Sequence, residues 1–243
     1  MKKRILSLLL VLSLLLAGCG GSSQPPAGSI KPADPAPATQ PPVIEAPAET
    51  APIKEKPVSL GKMDGGIYEN AYAGYGCSLG SGWVYKSAEE LQDISALTED
   101  LLEGSEIDLS ESNLSQVTDM MAENVDLLAS MNVLYQQITP QEKLAYSVMG
   151  EEQIIDSILQ SKDVLISSYS QAGIDVSTIE KVPVPFLGEA RYAIHTSASV
   201  QGTPYYILQL FDYKLGGDYA VILTTASFVE DSTFDLLDLF YPV

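Results

Sequence analysis

Residues 190–213, ARYAIHTSASVQGTPYYILQLFDY, decide the fold of this chain. Two runs rich in apolar residues, Ala190–Ser199 and Pro204–Tyr213, are separated by a short stretch that contains Gln201-Gly202. A two-residue loop that ends in glycine is typical of a tight β-hairpin, because such turns need positive φ angles that glycine adopts readily. The sequence therefore predicts two antiparallel strands joined at this loop.

The loop also predicts which residues of the hairpin stand opposite one another. With Gln201-Gly202 as the loop, the numbers of opposed residues sum to 403, so Arg191 faces Asp212 and His195 faces Leu208. A charged pair across two strands is worth about 0.2–1 kcal/mol. Apolar residues occupy both faces of the hairpin, so we expect other layers of the protein to cover both sides of the sheet.

Helix signals precede the hairpin. Ser87-Ala88-Glu89-Glu90 has the form of a capping box, and Thr139-Pro140 is typical of the first residues of a helix. The helix that starts at Thr139 should break near Gly150, resume, and end at Gly173, since glycine is favoured just beyond a helix C-terminus.

The remaining elements complete an α+β pattern, in which an antiparallel β-sheet is flanked by helices. A short C-terminal helix, capped by Asp231 or Ser232, should place Phe234, Leu237 and Phe240 on one face. The other strands are predicted at Tyr72–Leu79, Val117–Ala122, Met131–Ile138, Ser177–Phe186 and Tyr219–Ser227.

Composition divides the chain into residues 1–18, 19–66 and 67–243. Ten of the fifteen prolines lie between Pro25 and Pro57, in a segment without aromatic residues. Such a segment buries too little apolar surface to fold, so residues 19–66 are predicted to be a disordered, proline-rich tether. Residues 67–243 contain all thirteen tyrosines and the only tryptophan, and their number suits a single domain.

The first residues resemble the export signal of bacterial lipoproteins. Lys2, Lys3 and Arg4 precede the apolar run Ile5–Leu16, which is shorter than the roughly 20 residues that span a membrane. Leu16-Ala17-Gly18-Cys19 is similar to the lipobox of that family. The resemblance implies cleavage between Gly18 and Cys19, a diacylglyceryl group (a palmitate-type anchor) on Cys19, and a location at the outer face of the cytoplasmic membrane.

Charge and cysteine content exclude several functions. The net charge of −19 becomes −22 when residues 1–18 are removed, and Arg191 is then the only arginine. A nucleic-acid partner needs clustered basic residues, so we exclude one. If Cys19 carries lipid, Cys77 has no cysteine partner within the chain, and its apolar surroundings predict a small buried residue rather than a nucleophile.

Two stretches of the domain resemble PsbP-like domains, in particular those of uncharacterised lipoproteins of Gram-positive bacteria. They are Tyr72–Leu79 with Gly82-Trp83, and Phe186-Leu187-Gly188-Glu189-Ala190-Arg191-Tyr192. The resemblance implies an antiparallel sheet between helical layers, an α/β/α sandwich, and a role in binding or assembly. It offers no catalytic residues to carry over.

Catalytic chemistry has little support in the sequence. A Ser-His-Asp or Cys-His site would need His195, the only histidine, with Asp212 as a possible partner. His195 lies in the middle of a predicted strand, and no Gly-x-Ser-x-Gly motif is present. With a single histidine, a zinc site of the usual kind is excluded, and we expect neither a cofactor nor an enzyme.

Three further hypotheses remain, two of binding and one of hydrolysis. The acidic segment after Leu97 could offer oxygen ligands to calcium through Asp100, Glu103, Glu106 and Asp108, but EF-hand spacing is absent and a solvated acidic loop is favoured. The domain's carboxylates could instead hydrolyse cell-wall glycans. The tyrosines of the late strands could form an exposed patch for an envelope protein or glycan, or pack under the helices; they are Tyr205, Tyr206, Tyr213 and Tyr219.

The sequence as a whole predicts a membrane-anchored lipoprotein of the cell envelope. Its domain is expected to be a non-catalytic binding or scaffolding module, with a cell-wall hydrolase or a calcium-binding module as alternatives.

Overall fold

The computed structural model describes residues 58–87, 89–91, 116–213 and 217–243. The predicted export signal, Gly18, Cys19 and the acidic residues Asp100, Glu103, Glu106 and Asp108 lie outside the described residues. No helix in the described ranges is long and apolar enough to cross a membrane.

The described chain consists mainly of β-strands. The strands are β1 (Lys62–Asp64), β2 (Ile67–Asn70), β3 (Tyr75–Ser78), β4 (Trp83–Tyr85), β5 (Gln116–Asn124), β6 (Ala129–Gln137), β7 (Ile174–Phe186), β8 (Glu189–Val200), β9 (Thr203–Asp212), β10 (Tyr219–Phe228) and β11 (Phe240–Pro242). The helices are α1 (Pro140–Val148), α2 (Glu151–Leu159), α3 (Lys162–Gln171) and a 3-10 helix at Asp235–Leu239, with residues 89–91 also helical.

The strands form two antiparallel sheets. The larger has the order β4-β5-β6-β10-β9-β8-β7, and the smaller has the order β1-β2-β3-β11. Two runs of consecutive strands, β4 to β6 and β7 to β10, form the larger sheet. The helices connect the two runs in the chain, and β10 joins them in the sheet by pairing with β6. The predicted α+β architecture with an antiparallel sheet is confirmed.

The hairpin that decides the fold has the predicted register. Pairs from Ala193–Leu210 to Val200–Thr203 sum to 403, and the φ angles of Gln201 and Gly202 are +51° and +79°. Two positive φ angles in sequence define the turn that matches the twist of a hairpin. The β8–β9 ladder stops at Ala193, and beyond it Arg191 Nη2 lies 4.0 Å from Asp212 Oδ2.

The larger sheet separates two apolar layers. On one side, α2 and α3 pack against the sheet, and the buried residues there include Leu134, Ile155, Tyr169, Ile194, Tyr205, Phe211 and Ile222. On the other side, the smaller sheet and the 3-10 helix pack against it, and the buried residues there include Tyr68, Cys77, Val133, Leu210, Leu223, Leu237 and Phe240. Both faces of the hairpin are therefore covered, as its apolar pattern predicts.

Helix starts follow the predicted signals. Thr139 Oγ1 accepts a hydrogen bond from the Glu142 amide, and Glu142 Oε2 accepts one from the Thr139 amide. Ser87 and Glu90 make the same reciprocal pair. Gly173 follows α3 with a φ of +79°, as expected for a glycine beyond a helix end.

Four element predictions need correction. Tyr72 lies in the turn between β2 and β3, so the predicted strand Tyr72–Leu79 is shortened to Tyr75–Ser78. The helix after Gly150 is interrupted between Leu159 and Lys162. The predicted C-terminal helix is a 3-10 helix, and Phe240 belongs to the strand that follows it rather than to a helix face.

The start of the folded region is the fourth correction. Val58 is only 3% exposed and Lys62–Asp64 pairs with β2, so folded structure begins before the predicted boundary at residue 66. Gly61 belongs to this folded start, because it packs directly against the buried ring of Tyr68. The ring leaves no room for a side chain at position 61.

Candidate ligand-binding cleft

Two adjoining cavities lie at one end of the helix-covered face of the sheet. The larger, of about 360 Å³, is bounded by α1, α2, α3 and the ends of β6 and β9. The smaller, of about 340 Å³, lies beyond Phe211 and Tyr213, which line both. We call the two together the cleft. Volumes of this size are typical of sites for small ligands.

Helix α1 forms the outer wall of the larger cavity. None of its nine residues is buried, and Leu144 and Val148 are largely exposed. Tyr146 packs on Tyr213, and Lys143 Nζ lies 3.1 Å from Asp218 Oδ1. Buried apolar side chains of α1 therefore do not hold it in place; the Thr139 cap, the contact of Tyr146 with Tyr213 and the ion pair of Lys143 with Asp218 contribute to its attachment among the described residues.

Three aromatic rings form a continuous wall in the cleft. The centroids of Tyr146 and Tyr213 are 4.4 Å apart, and those of Phe211 and Tyr213 are 6.0 Å apart with the ring planes nearly parallel. Burial, followed by neighbouring charges, raises the pKa of both Tyr213 and Tyr146. Both hydroxyls are therefore neutral at physiological pH and can donate a hydrogen bond.

Two polar side chains also line the larger cavity. Gln136 Nε2 donates to the Gln137 carbonyl at 3.3 Å, while Gln136 Oε1 has no hydrogen-bond partner among the described residues. Glu142 uses Oε2 for Thr139, accepting from its amide and its hydroxyl at 2.8 Å each. The cavity wall thus carries a carboxylate, whereas the unsatisfied amide oxygen of Gln136 is shielded from the cavity.

Arg191 and Glu151 form the floor of the smaller cavity. Arg191 Nε lies 2.5 Å from Glu151 Oε1, and Glu151 Oε2 accepts a hydrogen bond from the Tyr192 amide at 3.3 Å. Arg191 Nη2 also donates to the Phe211 carbonyl at 3.4 Å. The only arginine of the domain therefore contacts the carboxylates of Glu151 and Asp212 and the Phe211 carbonyl. The β8–β9 ladder has stopped before this point.

The predicted tyrosine patch is dispersed over the fold. Tyr213 lines both cavities, and Tyr205 is buried on the same side of the sheet beside Phe228. Tyr219 is buried on the opposite side near Tyr135, and Tyr206 lies on that side next to His195. The four tyrosines do not share one surface, and only Tyr213 belongs to the cleft.

His195 pairs with a different carboxylate from the one considered in the sequence. Its Nε2 lies 2.9 Å from Asp231 Oδ2, and its ring lies between those of Tyr206 and Phe234. The other oxygen of Asp231 accepts from the Thr233 hydroxyl at 2.6 Å. No serine or cysteine hydrogen-bonds to His195 within the described ranges, so a Ser-His-Asp arrangement is not assembled there. Asp212 lies beside Arg191 instead.

Cys77 is fully buried, as its apolar surroundings predict. Its sulfur lies 3.8 Å from the sulfur of Met131, and burial raises the pKa of the thiol to about 12. The thiolate required for nucleophilic or metal chemistry is therefore strongly disfavoured. The described residues contain no group of three or more His, Cys, Asp or Glu side chains placed to hold a metal ion.

Asp119 is an unusual carboxylate that the sequence reasoning missed. It sits at a bulge in β5, where the pairing with β6 shifts between Thr118 and Met120. It accepts hydrogen bonds from the Gly61 amide, the Tyr68 hydroxyl and Asn70 Nδ2. Burial raises its pKa to about 6, although these donors act in the opposite direction. All of its partners are structural, and it fastens β1 and β2 to the larger sheet.

Sequence reasoning also missed Glu142, Gln136 and Glu151 as cleft residues. The capping-box spacing between Thr139 and Glu142 was available as a signal for a carboxylate at a helix start. The other contacts join residues far apart in the chain, such as Glu151 and Arg191, and no local sequence pattern predicts them.

Comparisons with known proteins add little to the geometry. No family model and no curated protein matches the chain. Among solved structures, the chain is similar to the solution structure of cyanobacterial PsbP (CyanoP) from Synechocystis sp. PCC 6803. The identity is 12%, the TM-score is 0.38, and the match covers 76% of this chain and 94% of that one. A similarity this low supports no argument about this chain.

Proposed function

We propose that this chain is an envelope lipoprotein, anchored through Cys19 at the outer face of the cytoplasmic membrane, whose domain is a non-catalytic module that binds a ligand in the cleft. The cleft is the observation that carries the binding role. It combines a volume of about 360 Å³ with an aromatic wall and a few polar groups, the usual composition of a small-ligand site.

The anchor rests on the sequence alone. Leu16-Ala17-Gly18-Cys19 supplies the acylation motif, and two acyl chains hold a protein stably to a membrane where one does not. Residues 19–57 contain ten of the fifteen prolines and provide a spacer between anchor and domain.

The anchor is tested by metabolic labelling with an alkyne-tagged fatty acid. Wild-type chain should carry the label and sediment with membranes, whereas Cys19→Ala should lose both properties. Cys77→Ala is the matched control and should keep both. Label on the Cys19→Ala variant would refute the assignment of this cysteine.

The cleft is tested by photocrosslinking in intact cells. A benzoylphenylalanine at position 146, on the cleft wall, should capture a ligand that intact-protein mass spectrometry detects as an added mass. The same residue at position 84, an exposed position on β4 at the edge of the sheet, is the control. Equal capture at the two positions, or none at 146, would contradict binding in the cleft.

A further inference from the structure

The charges around the cleft are predominantly negative. Four carboxylates line the two cavities, and one cation, Arg191, faces them among the described residues; the carboxylates belong to Glu142, Glu151, Glu189 and Asp212. Arg191 is neutralised by Glu151 at 2.5 Å, with Asp212 4.0 Å away. The nearby Lys143 is paired with Asp218, outside the cleft. An anionic ligand would therefore meet uncompensated negative charge.

The aromatic wall favours a cation for a second reason. The faces of Tyr and Phe rings carry negative electrostatic potential, and a positive group within about 6 Å of a ring centroid is attracted to it. Tyr146, Tyr213 and Phe211 place three such rings on the lining of the larger cavity. A neutral apolar ligand would use their surface but would gain nothing from the carboxylates.

The hydrogen-bonding groups point to the same chemistry. Glu142 lines the larger cavity, and Thr139 uses only its Oε2, so Oε1 is left to accept a hydrogen bond from an N–H group of a ligand. Gln136 Oε1 also has no donor among the described residues, but it is shielded from the cavity and is not available to a ligand.

We propose that the cleft binds an organic cation: a protonated primary amine on a short aliphatic chain, with its ammonium at Glu142 and its chain against Tyr146 and Tyr213. This deepens the proposed function and rests on it. The amine can be a free molecule or a lysine-type side chain of a peptide, since both present the same group.

Three probes of equal length and different charge test the proposal on the full-length chain in detergent micelles. They are pentylamine, 1-pentanol and pentanoate, and saturation-transfer NMR measures their binding. We expect pentylamine to bind about tenfold more tightly than pentanol and pentanoate not to bind. Nα-acetyl-lysine methylamide, compared with pentylamine, distinguishes a peptide source from a free amine. Equal affinities, or a preference for pentanoate, would overturn the proposal.

Matched variants separate the site from general acidity. Glu142→Gln should weaken pentylamine binding about tenfold, and glutamine can still cap the Thr139 amide, so the helix start is preserved. Glu152→Gln, an exposed residue of α2 outside the cleft, should leave binding unchanged. Tyr213→Leu should weaken binding, whereas Tyr213→Phe should retain most of it. Equal losses in Glu142→Gln and Glu152→Gln would show that the amine binds by surface charge alone.

The photocrosslinking experiment keeps this proposal distinct from the proposed function. Capture at position 146 together with no charge preference among the pentyl probes would refute the organic cation and leave the binding role standing. Absence of both would refute the two together.

Discussion

Glu151, the first residue of α2, accepts from both Arg191 Nε and the backbone amide of Tyr192, so a single carboxylate joins the helix to the sheet. The distances are 2.5 Å and 3.3 Å. The Tyr192 amide lies just beyond Ala193, where the β8–β9 ladder stops. Glu151 thus supplies the hydrogen bond that a continuing strand would have made, and this closes the floor of the smaller cavity.

Replacing Glu151 by glutamine should destabilise the protein by about 1–3 kcal/mol, because it removes the charge that compensates partly buried Arg191. Urea unfolding measures the effect. Glu152→Gln is the control: its ion pair with Lys181 is exposed, so its loss should leave the free energy of unfolding almost unchanged. Equal costs for the two variants would contradict the role assigned to Glu151.

Asp119 should make stability depend on pH between about 4 and 6. Its pKa is raised from 3.8 to about 6 in the folded state, so the folded state favours the protonated form. The stability that this preference contributes is present below pH 4 and is lost as pH rises through 6, to a limit of about 3 kcal/mol. Asp119→Asn should remove this slope, measured as unfolding free energy at pH 4 and pH 7.

Asp126→Asn, in the turn between β5 and β6, serves as the control for Asp119 and should retain the wild-type pH dependence. If Asp119→Asn shows the wild-type slope as well, another group is responsible for it.

Gly217 should not tolerate a side chain. A Cβ atom there would overlap a Val58 methyl group and the Tyr72 hydroxyl, both of which are packed in the core. Gly217→Ala should therefore destabilise the protein by about 1–3 kcal/mol through overpacking. Gly80→Ala, where a Cβ meets open space, should change the melting temperature little. A neutral Gly217→Ala would show that Val58 does not pack at this position.

Cys77 should be unreactive in the folded protein. The thiol is fully buried and its pKa is raised to about 12, so iodoacetamide at pH 8 should label it only after unfolding in urea. Val84→Cys, at an exposed position, should be labelled at once under native conditions. Rapid native labelling of Cys77 would mean that the two sheets separate readily around it.

The hairpin could be predicted because its information is local. Gln201-Gly202 determines both the turn and the register, and the helix starts at Ser87 and Thr139 carry their own caps. The smaller sheet was harder to predict, since β2, β3 and β11 are short and β11 comes from the far end of the chain. The predicted strand Tyr72–Leu79 begins too early because Tyr72 is buried in a turn, and burial alone does not distinguish a turn from a strand.

The cleft could not be predicted from the sequence, because its walls are set by long-range geometry. Tyr213 was named as a candidate, but adjacent residues of a strand point to opposite faces, which separates Tyr205 from Tyr206. Tyr219 belongs to the opposite core through its position on β10. The contact of Glu151 with Arg191 depends on where α2 crosses the sheet, and no spacing in the chain encodes that crossing.

Both ends of the described chain are placed in the smaller sheet, since β1 begins four residues after Val58 and β11 ends at Pro242. That sheet covers one side of the larger sheet, while the larger cavity opens on the other. A membrane, a bead or a fused protein that holds the molecule by either end is therefore attached on the side of the larger sheet that the smaller sheet covers. A sensor chip that captures the chain at residue 243 should therefore hold it on the side of the larger sheet that faces away from the larger cavity.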